Sequence, residues 1–88
     1  MSNEIKTQIR AIISDVSGIP EREIGGDSHF VEELDLDSLA MLEMGVDIDH
    51  AFQLGLPDEP YKELRCLNDA VELVSRHLKE RETQAEVA

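Results

Sequence analysis

Serine hydroxyls, many carboxylates, three imidazoles and one thiol are the groups in this 88-residue chain that could do chemistry. Ser38 is the most suggestively placed. It follows Leu34-Asp35-Leu36-Asp37 and precedes Leu39, where a polar stretch gives way to a periodic apolar run. A nucleophilic serine needs a base in contact and donors for the developing oxyanion. No Gly-x-Ser-x-Gly elbow surrounds Ser38, and His29, His50 and His77 show no local arrangement with it. No catalytic residue is expected. Asp47-x-Asp49 opens like a calcium loop, but Ala51 and Phe52 stand where that loop needs a further ligand and a glycine, so no metal site is expected. Cys66, the single cysteine, excludes an internal disulfide and a cysteine-based zinc cage. Only Arg65 is adjacent to lower its pKa, which argues against a working thiol.

On local grounds Ser38 is either a helix cap or an attachment point. Asp37 can supply the capping oxygen itself, and no Glu or Gln completes a capping box after Ser38. A phosphodiester on Ser38 would lie against the free N–H groups and positive dipole end of the helix that follows, an arrangement that suits phosphate. Local physics permits both readings.

The elements that must position Ser38 are helical. Ile5, Ile9, Ile12, Ile13 and Val16 form one stripe of an amphipathic helix over residues 3–16, with Ser2 or Asn3 able to cap it and Gly18 and Pro20 to stop it. A long connection over 19–36 follows, pinned to the core by Phe30, Val31 and Leu34. The second helix is expected over 38–53. Met41, Met44, Ile48 and Phe52 share its buried sector, whereas Leu39, Leu42 and Val46 fall nearly opposite, beside Glu43, Asp49 and His50. Single exposed aliphatics are ordinary, but three adjacent ones ringed by acids are how a docking patch is built. Gly55 and Pro57 end this helix; a short turn capped by Asp58 covers 58–64. A last helix, 67–79, is striped by Leu67, Ala70, Val71, Val74 and Leu78, and residues 80–88 have no stripe and are expected to fray. The expected fold is all-α: a small bundle of three longer helices and one short one, in a single domain over 1–79 with a long first loop.

Charge narrows the partners. Twenty acids against eight bases give a net −12, and eleven of those acids lie between Arg22 and Lys62, a span without a single base. Such a chain is a poor ligand for nucleic acid or an anionic bilayer. No run is long enough to span a membrane and no signal or transit segment is present, so the expected compartment is the cytoplasm.

Phe30-Val31-Glu32-Glu33-Leu34-Asp35-Leu36-Asp37-Ser38-Leu39 resembles the attachment region of acyl carrier proteins, whose core is Asp-Ser-Leu. The likeness continues through Glu43, Phe52 and Leu56-Pro57-Asp58-Glu59 to Asn68-Asp69-Ala70-Val71, and so covers roughly residues 3–78. It implies a four-helix carrier, itself without catalysis, that holds acyl groups as thioesters on 4′-phosphopantetheine taken from coenzyme A. Ser38 would be the anchor and Asp37 would help the phosphopantetheinyl transferase position it. Leu39, Leu42, Glu43, Val46, Asp47 and Asp49 would meet the partners: an acyltransferase, a ketosynthase or similar enzymes of polyketide or fatty-acid-type assembly with basic docking surfaces. The carrier is expected to be a monomer. A peptidyl or aminoacyl carrier is the near alternative, which Asp37 before the serine disfavours; an unmodified acidic adaptor for a basic protein is the distant one. The chain departs from the family's habit at Asp35-Leu36, often Gly-Ala; at Ala40, commonly an acid; at Gly45, usually a larger aliphatic; and at Cys66, commonly a capping Ser or Thr. One hypothesis is that Gly45 opens space for an acyl chain between helices.

Self-repulsion among the surplus carboxylates should make the fold sensitive to salt. Melting temperature is expected to rise with added sodium chloride and more steeply with magnesium; equal values in low salt and in magnesium would contradict this.

Overall fold

The structure, a computed structural model, describes the backbone of residues 2–87 and the side chains of 3–81. Four α-helices follow in order: α1 (Ser2–Ser17), α2 (Ser38–Phe52), α3 (Glu59–Lys62) and α4 (Leu67–Val87), with a 3-10 turn at Glu21–Glu23 in the first connection. There is no strand among the described residues; His29 and Cys66 form one isolated antiparallel bridge. The expected all-α bundle of three long helices and one short one is what forms.

The isoleucine stripe does what its spacing requires. Ile9 and Ile13 are fully buried, and Ile5, Ile12 and Val16 pack at the margin of the same core. Through this stripe α1 packs on both α2 and α4, while α3 packs on α2. Gly18 ends α1 in the left-handed region (φ 78°), its N–H donating to the Ser14 carbonyl at 2.8 Å. The helix α2 stops at Gln53, a non-glycine residue in the left-handed region (φ 51°), ahead of the expected Gly55. The guanidinium of Arg81 on α4 donates to the carbonyls of Phe52 and Gln53, placing a cation on the free carbonyls at the end of α2. Arg81 thus has a structural task inside the segment expected to fray, and α4 continues to Val87 instead of ending near 79. The rest of that expectation, for the side chains of 82–87 and for Ala88, falls outside the described residues.

The long connection is pinned differently from the expectation. Phe30 and Leu34 are buried, but Val31 is 53% exposed; Ile24 and Leu36 take up the anchoring instead. Three backbone bonds fix its course. Phe30 N–H donates to the Arg65 carbonyl (2.8 Å), Asn68 N–H to the Gly26 carbonyl (3.0 Å) and Leu36 N–H to the Phe30 carbonyl (2.9 Å). The second of these satisfies an N–H that the start of α4 leaves free. A Cβ at Gly26 would lie 2.7 Å from Asn68 Oδ1, so a side chain there would have to displace the Asn68 amide, which donates to Asp27. Cys66 precedes α4 with no side-chain oxygen to offer, its carbonyl accepting from Ala70 N–H (3.3 Å), and Asp69 reaches back to Arg65 N–H (3.0 Å). The carboxylate of Asp58 caps nothing in α3, contrary to expectation; its carbonyl takes the N–H groups of Tyr61 and Lys62.

Gly45 stands against Tyr61. It is buried on α2, and a Cβ there would meet Tyr61 Cβ at 2.8 Å and Cγ at 3.0 Å. The missing side chain admits the stem of Tyr61, and Gly45 also borders a hollow of about 210 Å³ shared with Asp49, Leu56 and Tyr61. A second crevice between Gly45 and Tyr61 holds about 10 Å³, barely room for one water. Helix propensity alone would favour Gly45→Ala by about 1 kcal/mol. Overpacking against Tyr61 opposes this, and Gly45→Ala is expected to lose about 1–2 kcal/mol in urea unfolding. A gain in stability would show that the contact yields freely.

Candidate functional site

Asp37 precedes α2 in extended geometry, and its Oδ1 accepts a hydrogen bond from Ala40 N–H at 2.8 Å. The cap position is thus taken by the aspartate, as the sequence suggested, and Ser38 is left as the exposed first residue of the helix. An exposed hydroxyl at a helix start, beside unclaimed N–H groups and the positive end of the dipole, favours a negative substituent over a neutral one.

The chain reaches this point through a short run of tightly specified residues. His29 Nδ1 accepts from the N–H groups of Val31 (3.2 Å) and Glu32 (3.3 Å), and Glu33 Oε1 accepts from His29 N–H (3.1 Å). These bonds turn the chain so that Leu34 and Leu36 enter the core. Asp35 between them has φ 58°, a region open to glycine and tolerated by aspartate. The Asp35-Leu36 departure thereby has a physical reading: the aspartate takes the left-handed position and the leucine takes a core site. His29 is the organiser of the approach to Ser38. Its signal was only its place just before the attachment segment.

Ser38 borders an open groove of about 1560 Å³. The loop contributes Val31 and Leu36 to it, α2 contributes Met41, and α3 with the turn after it contributes Lys62, Leu64 and Arg65. Asp37, Glu63 and Asp69 line it as well, so apolar, basic and acidic groups share its walls. A phosphate-linked arm fits such a site: the hydroxyl is accessible, the helix start favours its charge, and room lies alongside.

The outer face of α2 is as the angular pattern required. Leu39 (63%), Leu42 (42%) and Val46 (54%) are exposed, and Glu43, Asp47 and His50 are exposed around them. On the inner face Met44 and Ile48 are fully buried, whereas Met41 and Phe52 are half-buried at its edges. Asp49 differs from the other acids. Its Oδ1 accepts from Tyr61 Oη (2.7 Å) and from Leu56 N–H (2.8 Å), so it fastens α3 and the preceding turn to α2. Burial pushes its carboxyl up, but the hydrogen bonds from Tyr61, Leu56 and Gly55 and the nearby His50 outweigh this and hold it below the usual value. Burial, then the hydrogen bond to Asp49 and the Asp49 charge, push the Tyr61 phenol well above its usual range. No group of three or more His, Cys, Asp or Glu among the described residues could hold a metal.

The Asp49–Tyr61 pair sets a pH dependence whose sign follows from these directions. A depressed carboxyl stabilises the fold above its unfolded value of 3.8, a contribution lost as pH falls through the lower folded value. A raised phenol stabilises it below 10.0, a contribution lost as pH climbs beyond. Tyr61→Phe is expected to lose about 1–2 kcal/mol at neutral pH in urea unfolding. The gap from the parent should narrow below 3.8 and above 10.0. A gap constant across that range would show that the hydroxyl and carboxylate are not coupled.

Comparison with known proteins brings this geometry to a family. A profile described as "Phosphopantetheine attachment site" matches residues 7–74. The chain is 36% identical over 72 residues to the acyl carrier protein of Acidothermus cellulolyticus, covering 82% of this chain and 86% of that one. With the acyl carrier protein of Thermobifida fusca the identity is 32% over 73 residues, 83% of this chain and 92% of the relative. The meromycolate extension acyl carrier protein of Mycobacterium leprae is 36% identical over 83 residues, 94% of this chain and 72% of its own. An accessible serine at the start of a helix, inside a matched attachment site and a matching four-helix frame, leaves one conclusion: the chain belongs to the phosphopantetheine-bearing acyl carrier protein family.

Proposed function

We propose that Ser38 is the hydroxyl that a phosphopantetheinyl transferase esterifies with 4′-phosphopantetheine from coenzyme A. The observation that carries this is the division of labour at the start of α2: Asp37 satisfies Ala40 N–H and leaves Ser38 exposed and uncommitted. The attached arm supplies a terminal thiol on which acyl groups ride as thioesters. The protein's own residues hold and present it. Asp37 fixes the first turn, His29 and Leu36 fix the approach, and the helix dipole favours the phosphodiester. The chain performs no catalysis itself, and tethering raises the effective concentration of the cargo at each enzyme it visits.

Partners dock on the outer face of α2. Leu39, Leu42 and Val46 give a small apolar contact, and Glu43 and Asp47 give long-range attraction to basic surfaces. Such contacts associate fast and release readily, as a carrier serving several enzymes requires. Asp49 serves that face by holding α3 in place, since its carboxylate is committed to Tyr61 and Leu56. The partners on this reading are acyltransferases, ketosynthases and similar enzymes of fatty-acid or polyketide-type assembly. The names of the relatives support an acyl cargo over an aminoacyl one. The protein works as a monomer in the cytoplasm; no described helix is long and apolar enough to cross a membrane.

Incubation of the apo protein with coenzyme A and a broad-specificity transferase is expected to add one phosphopantetheinyl unit, read by intact mass. Ser38→Ala should gain none. Leu42→Asp should retain the hydroxyl yet be modified or served more slowly, and added salt should slow the parent likewise. Addition of the unit to Ser38→Ala would refute the assignment.

A further inference from the structure

Residues 29–33 close a turn of their own ahead of Ser38, and an imidazole caps it. The His29 carbonyl accepts from the N–H groups of Glu33 (2.9 Å) and Leu34 (3.0 Å), so the chain makes one helical turn there. The N–H groups of Val31 and Glu32 lie ahead of any carbonyl that this turn can offer. Both donate to His29 Nδ1, at 3.2 and 3.3 Å. Glu33 Oε1 reaches back to His29 N–H at 3.1 Å, much as the return half of a capping box does. Serine and asparagine are usual caps, and their oxygens still accept in mild acid. An imidazole nitrogen does so only while it is bare.

The two bonds to Nδ1 therefore require the neutral ring, with its hydrogen on Nε2. A proton on Nδ1 turns the acceptor into a donor and sets a positive charge against two N–H groups that point at it. Both bonds go together, and the cap with them. The consequence has a short way to travel. Leu36 N–H donates to the Phe30 carbonyl of the same turn (2.9 Å), Leu34 and Leu36 are buried, and Asp35 stands at φ 58° between them, directly ahead of Asp37 and Ser38. Charges of both signs surround the ring. Glu32 and Glu33 belong to its own turn. Asp37 from the start of α2, Lys62 and Glu63 from α3 and its end, Arg65 and Cys66 from the turn before α4, and Asp69 from α4 share its groove. They bear on when the ring takes up a proton, not on what that proton does to the cap.

We propose that His29 is a positioning residue for the modification of Ser38 and makes the presentation of that serine depend on pH. Neutral His29 caps the turn and sets the entry into α2; protonated His29 releases the turn and loosens that entry. This rests on Ser38 being the attachment hydroxyl. His29 acts through the chain, by way of Phe30, Leu36 and Asp37.

The test begins with nitrogen-labelled apo protein in NMR. Imidazole spectra at neutral pH are expected to show His29 protonated on Nε2 and bare on Nδ1. On acidification the Val31 and Glu32 amides should shift and exchange faster in step with the His29 ring. In His29→Asn, whose amide oxygen caps the same turn, that step should be absent. Transferase assays with coenzyme A, read by intact mass, then compare the parent with His29→Asn and His29→Ala. Parent and His29→Asn should be modified alike at about pH 7.5, and the parent should fall roughly fivefold behind at about pH 5.5. His29→Ala should be slow at both. Taking the ratio of two carriers removes the transferase's own pH dependence. A proton on Nδ1 at neutral pH, amides indifferent to the ring, a constant ratio of parent to His29→Asn, or His29→Ala as fast as the parent would each overturn the proposal while leaving Ser38 as the anchor. Failure of every form, the parent included, to gain mass would defeat the carrier reading and this inference with it.

Discussion

A helix begins with N–H groups that no carbonyl of its own can reach, and in this protein the use made of those groups at the start of α2 governs the rest. Asp37 takes Ala40 N–H, which fixes the first turn without engaging Ser38. The remaining positive potential favours an anion at the serine. This works only if the chain enters α2 along one path. The loop's bonds to the start of α4, Phe30 N–H to Arg65 and Asn68 N–H to the Gly26 carbonyl, set that path, and His29 turns it. The serine proposed as the attachment point is thus held from two sides, by the helix it opens and by the helix its loop is sewn to.

The two faces of α2 divide what a carrier must do. Met44 and Ile48 are buried in one core with the isoleucines of α1, and this fixes the proposed docking surface of Leu39, Leu42 and Val46 on the opposite face. Rigid apolar contacts within an acidic surround give recognition without tight binding. Asp49 shows that not every acid on the helix belongs to that surround. It anchors Tyr61 and the turn before α3, and so shapes the groove on one side and the docking face on the other.

What was legible in the sequence was local. The stripe of α1, the opposed sectors of α2 and the Asp37-Ser38 junction depend on spacing along one helix, and spacing is written in the chain. The errors came where a residue's role is set by a partner from another element. Val31 reads as an anchor by hydrophobicity, but the turn organised by His29 faces it outward and sends Leu36 inward. Gly45 reads as vacant space until Tyr61 is seen against it. Asp49 reads as one more surface acid, and Arg81 as part of an unstriped tail, because Leu56, Tyr61 and the carbonyls at the end of α2 come to them only in the fold. The family likeness pointed to Ser38 and gave the four-helix frame; it could not have explained why Asp35 and Leu36 suit the place where they stand.

The central claim is that the free hydroxyl at the start of α2 is where the phosphodiester is made. Its most direct test is a phosphorus–proton correlation spectrum of the transferase-treated protein. The account predicts one phosphodiester resonance coupled to the β-protons of Ser38. A phosphodiester coupled to any other serine, such as Ser28 in the loop, would contradict it.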